Sequence, residues 1–379
     1  MSDDVYIVGI DMLKFSRSSG ETTERLAARA ALNAMDDAGV GIAEIQGLYA
    51  GSSFGKRTAQ GVQKLIGQTG IPVVNVQNAC ATGATALREA MFMIKAGAAD
   101  ITLAVGAEVM PRGLLGGADS EDGISPEGLI GSASMPAIFA EAGMEHAATY
   151  GTTFEQFAKV SVKNHRHAMF NPKAMSQRET PLEQVMGADM IAYPNTKLMC
   201  SMNVDGAAAA VLMNETAARR RGLLDRAIRI RASALASDPY QPRNPAMHDI
   251  NTVTRIAAKS AYEQAGLGPE DLHLVELHDC FATAEILHYE NLGLCADGEG
   301  GRLIDEGATA MGGRIPVNLS GGLLSKGHPI GATGIANLYE IALHLRGAAG
   351  ARQVAGARLG LAHVVGLGTV AAVHVLEKV

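Results

Sequence analysis

Residues 78–89 read NACATGATALRE and residues 329–340 read PIGATGIANLYE, so one tripeptide opens two similar helical segments far apart in the chain. Ala81-Thr82-Gly83 is followed by Leu87 and Glu89; Ala332-Thr333-Gly334 is followed by Leu338 and Glu340. Each Ala-rich helical pattern then leads toward an apolar run with strand character, Ile101–Gly106 (ITLAVG) and Leu359–Gly366 (LGLAHVVG). A second pair precedes the first in each half. ARAALNAMDDAGVGIAEI (28–45) matches RIAAKSAYEQAGLGPEDL (255–272), each an amphipathic helix closing on Ala-Gly, where glycine supplies the left-handed cap. A chance likeness of Ala-rich helices explains one such pair, but not two pairs in the same order. The chain is therefore expected to be α/β and duplicated. One half covers residues 1–226 and the other 227–379, each a mixed sheet covered by helices.

An insertion, roughly 113–195, separates the matched parts of the first half. It carries an amphipathic helix near Phe154–His167, and GAAAAVLM then reads as a buried strand returning to the core. An insertion of this length on one half is a candidate substrate lid, and its Met content fits plain packing equally well.

The 379 residues are 47% hydrophobic and 19% charged, with 44 Gly and no Trp, which suits tightly turned, layered packing of small aliphatic residues. A net charge of −7 and no basic run beyond Arg219–Arg221 give no support for nucleic acid binding. The acidic start MSDDVYIVGIDML enters a strand pattern at once and is not expected to be a secretory signal, and no apolar run reaches membrane-span length. Four cysteines, Cys80, Cys200, Cys280 and Cys295, lie far apart without CxxC spacing. Reduced thiols and a cytoplasmic location are the expectation.

Three segments could carry chemistry. In VVNVQNACATG a strand, a short turn and a helix start place Cys80 where free N–H groups and the helix dipole favour a thiolate and could serve an oxyanion. Ala81 and Gly83 are expected to keep the approach open. A cysteine simply packed between helices is the competing reading. In NLSGGLLSKGHPIGATG, His328 is fixed between Gly327 and Pro329 and suits a general base near neutral pH, or a turn histidine bonded to backbone. Aligning the two ATG tripeptides sets Cys80 opposite Gly331. The His328 loop is thus the second half's counterpart of the Cys80 loop, and a pseudo-dyad would bring both to one centre. In VELHDCFATAE, His278 and Cys280 follow a strand end, where ligand sites of parallel sheets lie. An extended backbone would put them on one side. Asp279 and Glu285 read as solvent or capping residues. No further Cys/His pair at finger spacing is nearby, so no metal is expected.

These motifs resemble the thiolase superfamily. NACATG is similar to its nucleophile loop, SGGLLSKGHPIGATG to its histidine loop, and SMNVDGAAAAVL to its strand after the lid. The HDCF form (278–281), with AHVVGLG (362–368), is similar to the sterol-carrier-protein-linked subgroup. With the sequence reaching Val379, no appended sterol-carrier domain is expected. The resemblance implies that Cys80 accepts an acyl group, His328 takes its proton, and Cys280 is the second acid/base. It implies that His278 lines one oxyanion hole, while the Cys80 backbone with an amide near Val365 or Gly366 forms the other. It further implies 3-oxoacyl-CoA, acyl-CoA and CoA as substrates, no permanently bound cofactor, and a homodimer or dimer of dimers. His363 stands where other thiolases carry a second cysteine, and Leu319 stands where Pro is frequent. Relatives lacking parts of this set cleave CoA-linked side chains by retro-aldol chemistry with a small zinc-ribbon/OB-fold partner. That reading and a non-catalytic acyl-CoA-binding scaffold are the alternatives to an acyltransferase.

Overall fold

The computed structural model describes residues 4–111, 135–239, 250–366 and 370–379. Strand β1 (Val5–Met12) is followed by helix α1 (Thr23–Ala38), β2 (Leu48–Gly51), α2 (Thr58–Ile66), β3 (Val73–Val76), α3 (Thr82–Lys95) and β4 (Ile101–Glu108). Helices α4 (Met135–Tyr150) and α5 (Phe154–Ala168) belong to the insertion, and β5 (Gly206–Asn214) completes the first half. The second half runs β6 (Ile228–Ser237), α6 (Ile250–Ala265), β7 (Leu274–Glu276), α7 (Ala282–Asn291), α8 (Thr333–Arg346), β8 (Leu359–Gly366) and β9 (Val370–Lys378).

Nine of the described strands form one sheet in the order β3-β2-β4-β5-β1-β6-β9-β8-β7. Read outward from β1 and β6, the two sides repeat each other. Val317 pairs in parallel with Val275 of β7, at the place β3 holds beside β2. The two similar mixed-sheet halves expected from sequence are both present, and hydrogen bonds join them where β1 meets β6 antiparallel, through Tyr6↔Arg229 and Ile7↔Ile228.

Alternate residues of each strand feed opposite layers. Tyr6 and Val8 of β1 pack with Leu26, Ala30 and Ala34 of α1 on the outside, while Val5, Ile7 and Ile10 face a middle layer with Leu87 and Met91 of α3 and Leu338 and Ile341 of α8. A third layer sets α6 and α7 against β8 and β9, with Ala257, Ala261, Leu361 and Val373 at its centre. Alanine dominates because the layers are close: a Cβ on Gly9 of β1 would lie 2.2 Å from the Ala34 carbonyl oxygen of α1. Helix α1 stops at Gly39, whose φ of 64° lets its N–H reach the Asp36 and Met35 carbonyls.

The inserted helices cover the other half. Phe157 and Val160 of α5 sit in the same cluster as α6 and α7, and the Phe139 ring of α4 stacks 5.2 Å from that of Phe281. The first part of the anticipated lid, residues 113–134, lies outside the described residues. Among the described residues no helix is long and apolar enough to cross a membrane.

Candidate active site

Helices α3 and α8 are pseudo-dyad mates and start side by side. Gly334 is needed there, because a Cβ on it would sit 2.4 Å from the Ala84 nitrogen of α3. A Cβ on Gly83 would in turn meet the Gly331 carbonyl oxygen at 2.7 Å. Gly83 therefore serves helix–helix approach and not access to Cys80, contrary to the reading from sequence.

That crossing carries two distant loops to one point. The Cys80 sulfur lies 3.3 Å from Nε2 of His328. The imidazole's other nitrogen, Nδ1, is 2.7 Å from Thr333 Oγ1, and the Thr333 hydroxyl directs its hydrogen to the Pro329 carbonyl oxygen at 3.1 Å. A hydroxyl has one hydrogen, so Nδ1–H is the donor to Thr333, and the Nε2 lone pair is left facing the sulfur. In the first half Thr82, at the same ATG position, braces the Cys80 loop: its hydroxyl donates to the Ala79 carbonyl at 2.7 Å and accepts from the Asn78 N–H at 2.9 Å. Ala79 is held at φ 46°, a conformation an alanine rarely adopts, immediately before the cysteine.

Glu108, at the end of β4, ties the His328 loop to the turn that follows β2. Its buried carboxylate accepts from the Ser52 hydroxyl and from the N–H groups of Ser53, Phe54 and Gly331. Burial pushes its pKa up against these bonds.

The third motif closes the site from the other side. Strand β7 ends at Glu276, and Asp279 N–H bonds back to the Leu277 carbonyl, so the backbone turns. Even so, His278 and Cys280 both line one small cavity, of about 50 Å³, together with Cys80, His328 and Val365. Phe139, Phe281 and the half-buried Cys200 complete its wall. Gly366, the last residue of β8, packs on the Cys80 loop, where a Cβ would come 2.5 Å from the Asn78 carbonyl oxygen. The His278 and His328 rings meet edge to face at 5.1 Å.

Asp279 and Glu285, taken from sequence as solvent or capping groups, are fully buried. Asp279 accepts from the Leu323 and Leu324 N–H groups, and Asn164 of α5 donates to both carboxylates. Lys163 pairs with Glu285 at 2.8 Å, and Asn318 donates to it at 2.8 Å. Burial and the Glu285 charge push Asp279 well above the usual carboxylate range. This network pins the HDCF turn to the loop that leads to His328.

His363 stays behind the cavity wall. It accepts the His278 backbone N–H at Nδ1 (3.5 Å), while its Nε2 meets Thr254 Oγ1 at 3.2 Å. The Thr254 hydroxyl donates to the Ile250 carbonyl, so Nε2 carries the proton. His363 thus positions His278 from behind.

Burial, with a smaller push from the Lys326 ammonium, lowers His328 to about 3, so its imidazole is neutral but is not poised near pH 7 as its loop suggested. Burial and the neighbouring His328, His363 and His288 lower His278 as well. Burial, then Cys80 and Asp279, push the Cys280 thiol well above its ordinary value. The resting site is a neutral imidazole against Cys80, with a protonated thiol opposite. Among the described residues, Cys80, His278 and His328 also offer ligand atoms within 4.8 Å of one another, as a metal site would.

Residues 5–189 match the family model for "Thiolase, N-terminal domain" and residues 242–378 that for "Thiolase C-terminal domain-like". The chain belongs to the thiolase family. It is 38% identical to sterol carrier protein 2 of Rattus norvegicus over 387 residues, covering 97% of this chain and 71% of that protein. It is 39% identical to an acetyl-CoA acetyltransferase of Methanothermobacter thermautotrophicus over 392 residues, covering 99% and 100%. A solved structure titled "Ltp2-ChsH2(DUF35) aldolase" superposes with a TM-score of 0.83 at 26% identity, covering 99% of this chain and 98% of that one. These similarities support an acyltransferase of thiolase type with a lipid-related kinship.

Proposed function

We propose that this thiolase cleaves 3-oxoacyl-CoA with CoA, or condenses two acyl-CoA molecules, through a thioester on Cys80. The Cys80 sulfur attacks the 3-oxo carbon while His328 Nε2 takes the thiol proton. The bond between the α- and β-carbons breaks, and the departing acetyl-CoA carbanion (or its homologue) takes a proton from Cys280. CoA thiol then gives its proton to Cys280 and attacks the thioester, and Cys80 leaves with the proton returned by His328. His278 stabilises one oxyanion; the Cys80 N–H with an amide at Val365 or Gly366 stabilises the other. A neutral His328 matches this scheme: it is available as a base at any physiological pH, and its charge exists only beside a thiolate that balances it. CoA is co-substrate, and no fixed cofactor is required.

The observation that carries the proposal is the 3.3 Å approach of Nε2 to sulfur from opposite halves, with its tautomer set by Thr333. The test is turnover of acetoacetyl-CoA and of longer 3-oxoacyl-CoA with CoA, followed by loss of the 3-oxoacyl thioester. Wild type should turn over and Cys80→Ala should not. The aldolase kinship supports a second reading, retro-aldol cleavage of a CoA-linked side chain with a small zinc-ribbon/OB-fold partner. Full cleavage by Cys80→Ala would favour it. A cytoplasmic homodimer completes the proposal. It would form at the free edge strand β3, where Val74 and nearby Phe92 of α3 are exposed, and sedimentation would test it.

A further inference from the structure

The cavity's three nearest reactive groups have a second chemistry that acyl transfer does not use. In a tetrahedral zinc site with the usual bond lengths, sulfur and nitrogen ligands lie about 3.5 Å apart and two nitrogens about 3.3 Å apart. Cys80 Sγ and His328 Nε2 are already at 3.3 Å, and a nitrogen of His278 lies within 4.8 Å of both. The third ligand therefore needs a shift of at most about 1.5 Å. The supporting shell is in place for His328. A metal-bound histidine usually donates its other N–H to a fixed acceptor, and His328 Nδ1–H is held by Thr333. His278, only 1% exposed, has no hydrogen-bond partner for Nδ1 among the described residues, so a buried polar atom of its ring is left unsatisfied there. All three side chains line the same small cavity.

We propose that Cys80, His278 and His328 bind one thiophilic divalent cation, zinc(II) by ligand type, in competition with acylation of Cys80. Binding forms a metal–sulfur bond and two metal–nitrogen bonds and releases the Cys80 proton to solvent; no electrons are transferred. The ion neither assists the reaction nor stays resident in it. It holds the nucleophile in a reversible, inactive state and shields the sulfur from alkylation and oxidation. Cys280, two residues from His278, is not among the three converging ligands, so this is not the His-x-Cys pair that the sequence offers.

The test uses the full chain, stripped of metal and free of substrate. Cobalt(II) chloride is titrated as a spectroscopic probe, then displaced with zinc chloride. One cobalt per chain should bind with a thiolate-to-cobalt charge-transfer band. Saturating zinc should slow iodoacetamide alkylation of Cys80 at least tenfold, read on the Cys80 peptide. Cys80→Ser should abolish the band, His278→Gln should weaken binding at least tenfold, and Thr333→Val should weaken it by about 10–100-fold. A wild type that shows no band at micromolar cobalt overturns the proposal, as does a full-strength band in Cys80→Ser or an unchanged alkylation rate. The alkylation arm needs no variant, so a misfolded substitution cannot obscure the answer. Neither readout requires turnover, so it stands or falls separately from the acyltransfer scheme.

Discussion

Thr333→Val isolates the step on which nucleophile activation depends. Valine keeps the volume at this buried start of α8 and removes the acceptor for His328 Nδ1–H, which lies 2.7 Å away. Two outcomes follow for the imidazole. If Nδ1 keeps its proton, a buried N–H loses its acceptor, at a cost of about 1–3 kcal/mol. If the proton moves to Nε2, the nitrogen facing sulfur becomes a donor and cannot accept the thiol proton. Either way the reactive tautomer falls by that free energy, which is about 5–150-fold in rate since 1.4 kcal/mol is tenfold. Alkylation of Cys80 by iodoacetamide under pseudo-first-order conditions, and kcat for acetoacetyl-CoA thiolysis, should fall together by that factor. KM should change little, and Thr333→Ser, which restores an acceptor, should recover most of both. Wild-type alkylation and kcat in Thr333→Val would refute the tautomer argument and with it the assignment of His328 as base.

Other outcomes follow from the same geometry. Cys280→Ala should keep Cys80 acylation by acetyl-CoA but slow deuterium exchange at the acetyl α-carbon by about 10²–10⁴-fold, checked by mass spectrometry of recovered acetyl-CoA. Gly366→Ala should depress kcat more than tenfold while the protein stays folded by circular dichroism, because its Cβ would press 2.5 Å from the Asn78 carbonyl of the nucleophile loop. Burial lowers His288 to about 3, below its unfolded value near 6.5, so its neutral form withholds a proton that the unfolded chain takes up. The stability it permits is complete above pH 6.5 and is lost as pH falls toward 3, about 2 kcal/mol between pH 7 and pH 5. His288→Leu cannot protonate, so its urea-unfolding free energy should drop by about that much less over the same interval; equal drops would contradict the assigned burial effect.

The duplication was legible because a repeated backbone plan leaves a repeated pattern of caps and small residues. Gly39 and Gly266 end matched helices at φ 64° and 65°, and the two ATG tripeptides open matched ones. The same repeat predicted that Cys80 and His328 converge. What it could not convey is which neighbour a small residue accommodates: Gly83 reads like an approach to a nucleophile and turns out to face the partner helix. The burial of Asp279 and Glu285 is hidden in the sequence for a related reason. An acidic residue in a polar-looking stretch carries no sign of burial, and its partners, Lys163 and Asn164, come from the insertion more than a hundred residues away. Thr333 does carry a sequence signal, since a hydroxyl recurs at that position in both halves and braces each loop. His363 was noticed only as a replaced cysteine; its role behind His278 depends on Thr254, which no spacing rule connects to it.

The central claim is that the sulfur at position 80 carries the acyl group. Rapid acid quench of the wild-type chain with acetoacetyl-CoA in the absence of free CoA, followed by mass analysis of the peptide containing Cys80, measures this directly. One added acetyl group is expected on that cysteine, discharged when CoA is supplied and absent in Cys80→Ser. Carbon–carbon cleavage at full rate with no acyl mass at Cys80, before or after CoA is added, would contradict it.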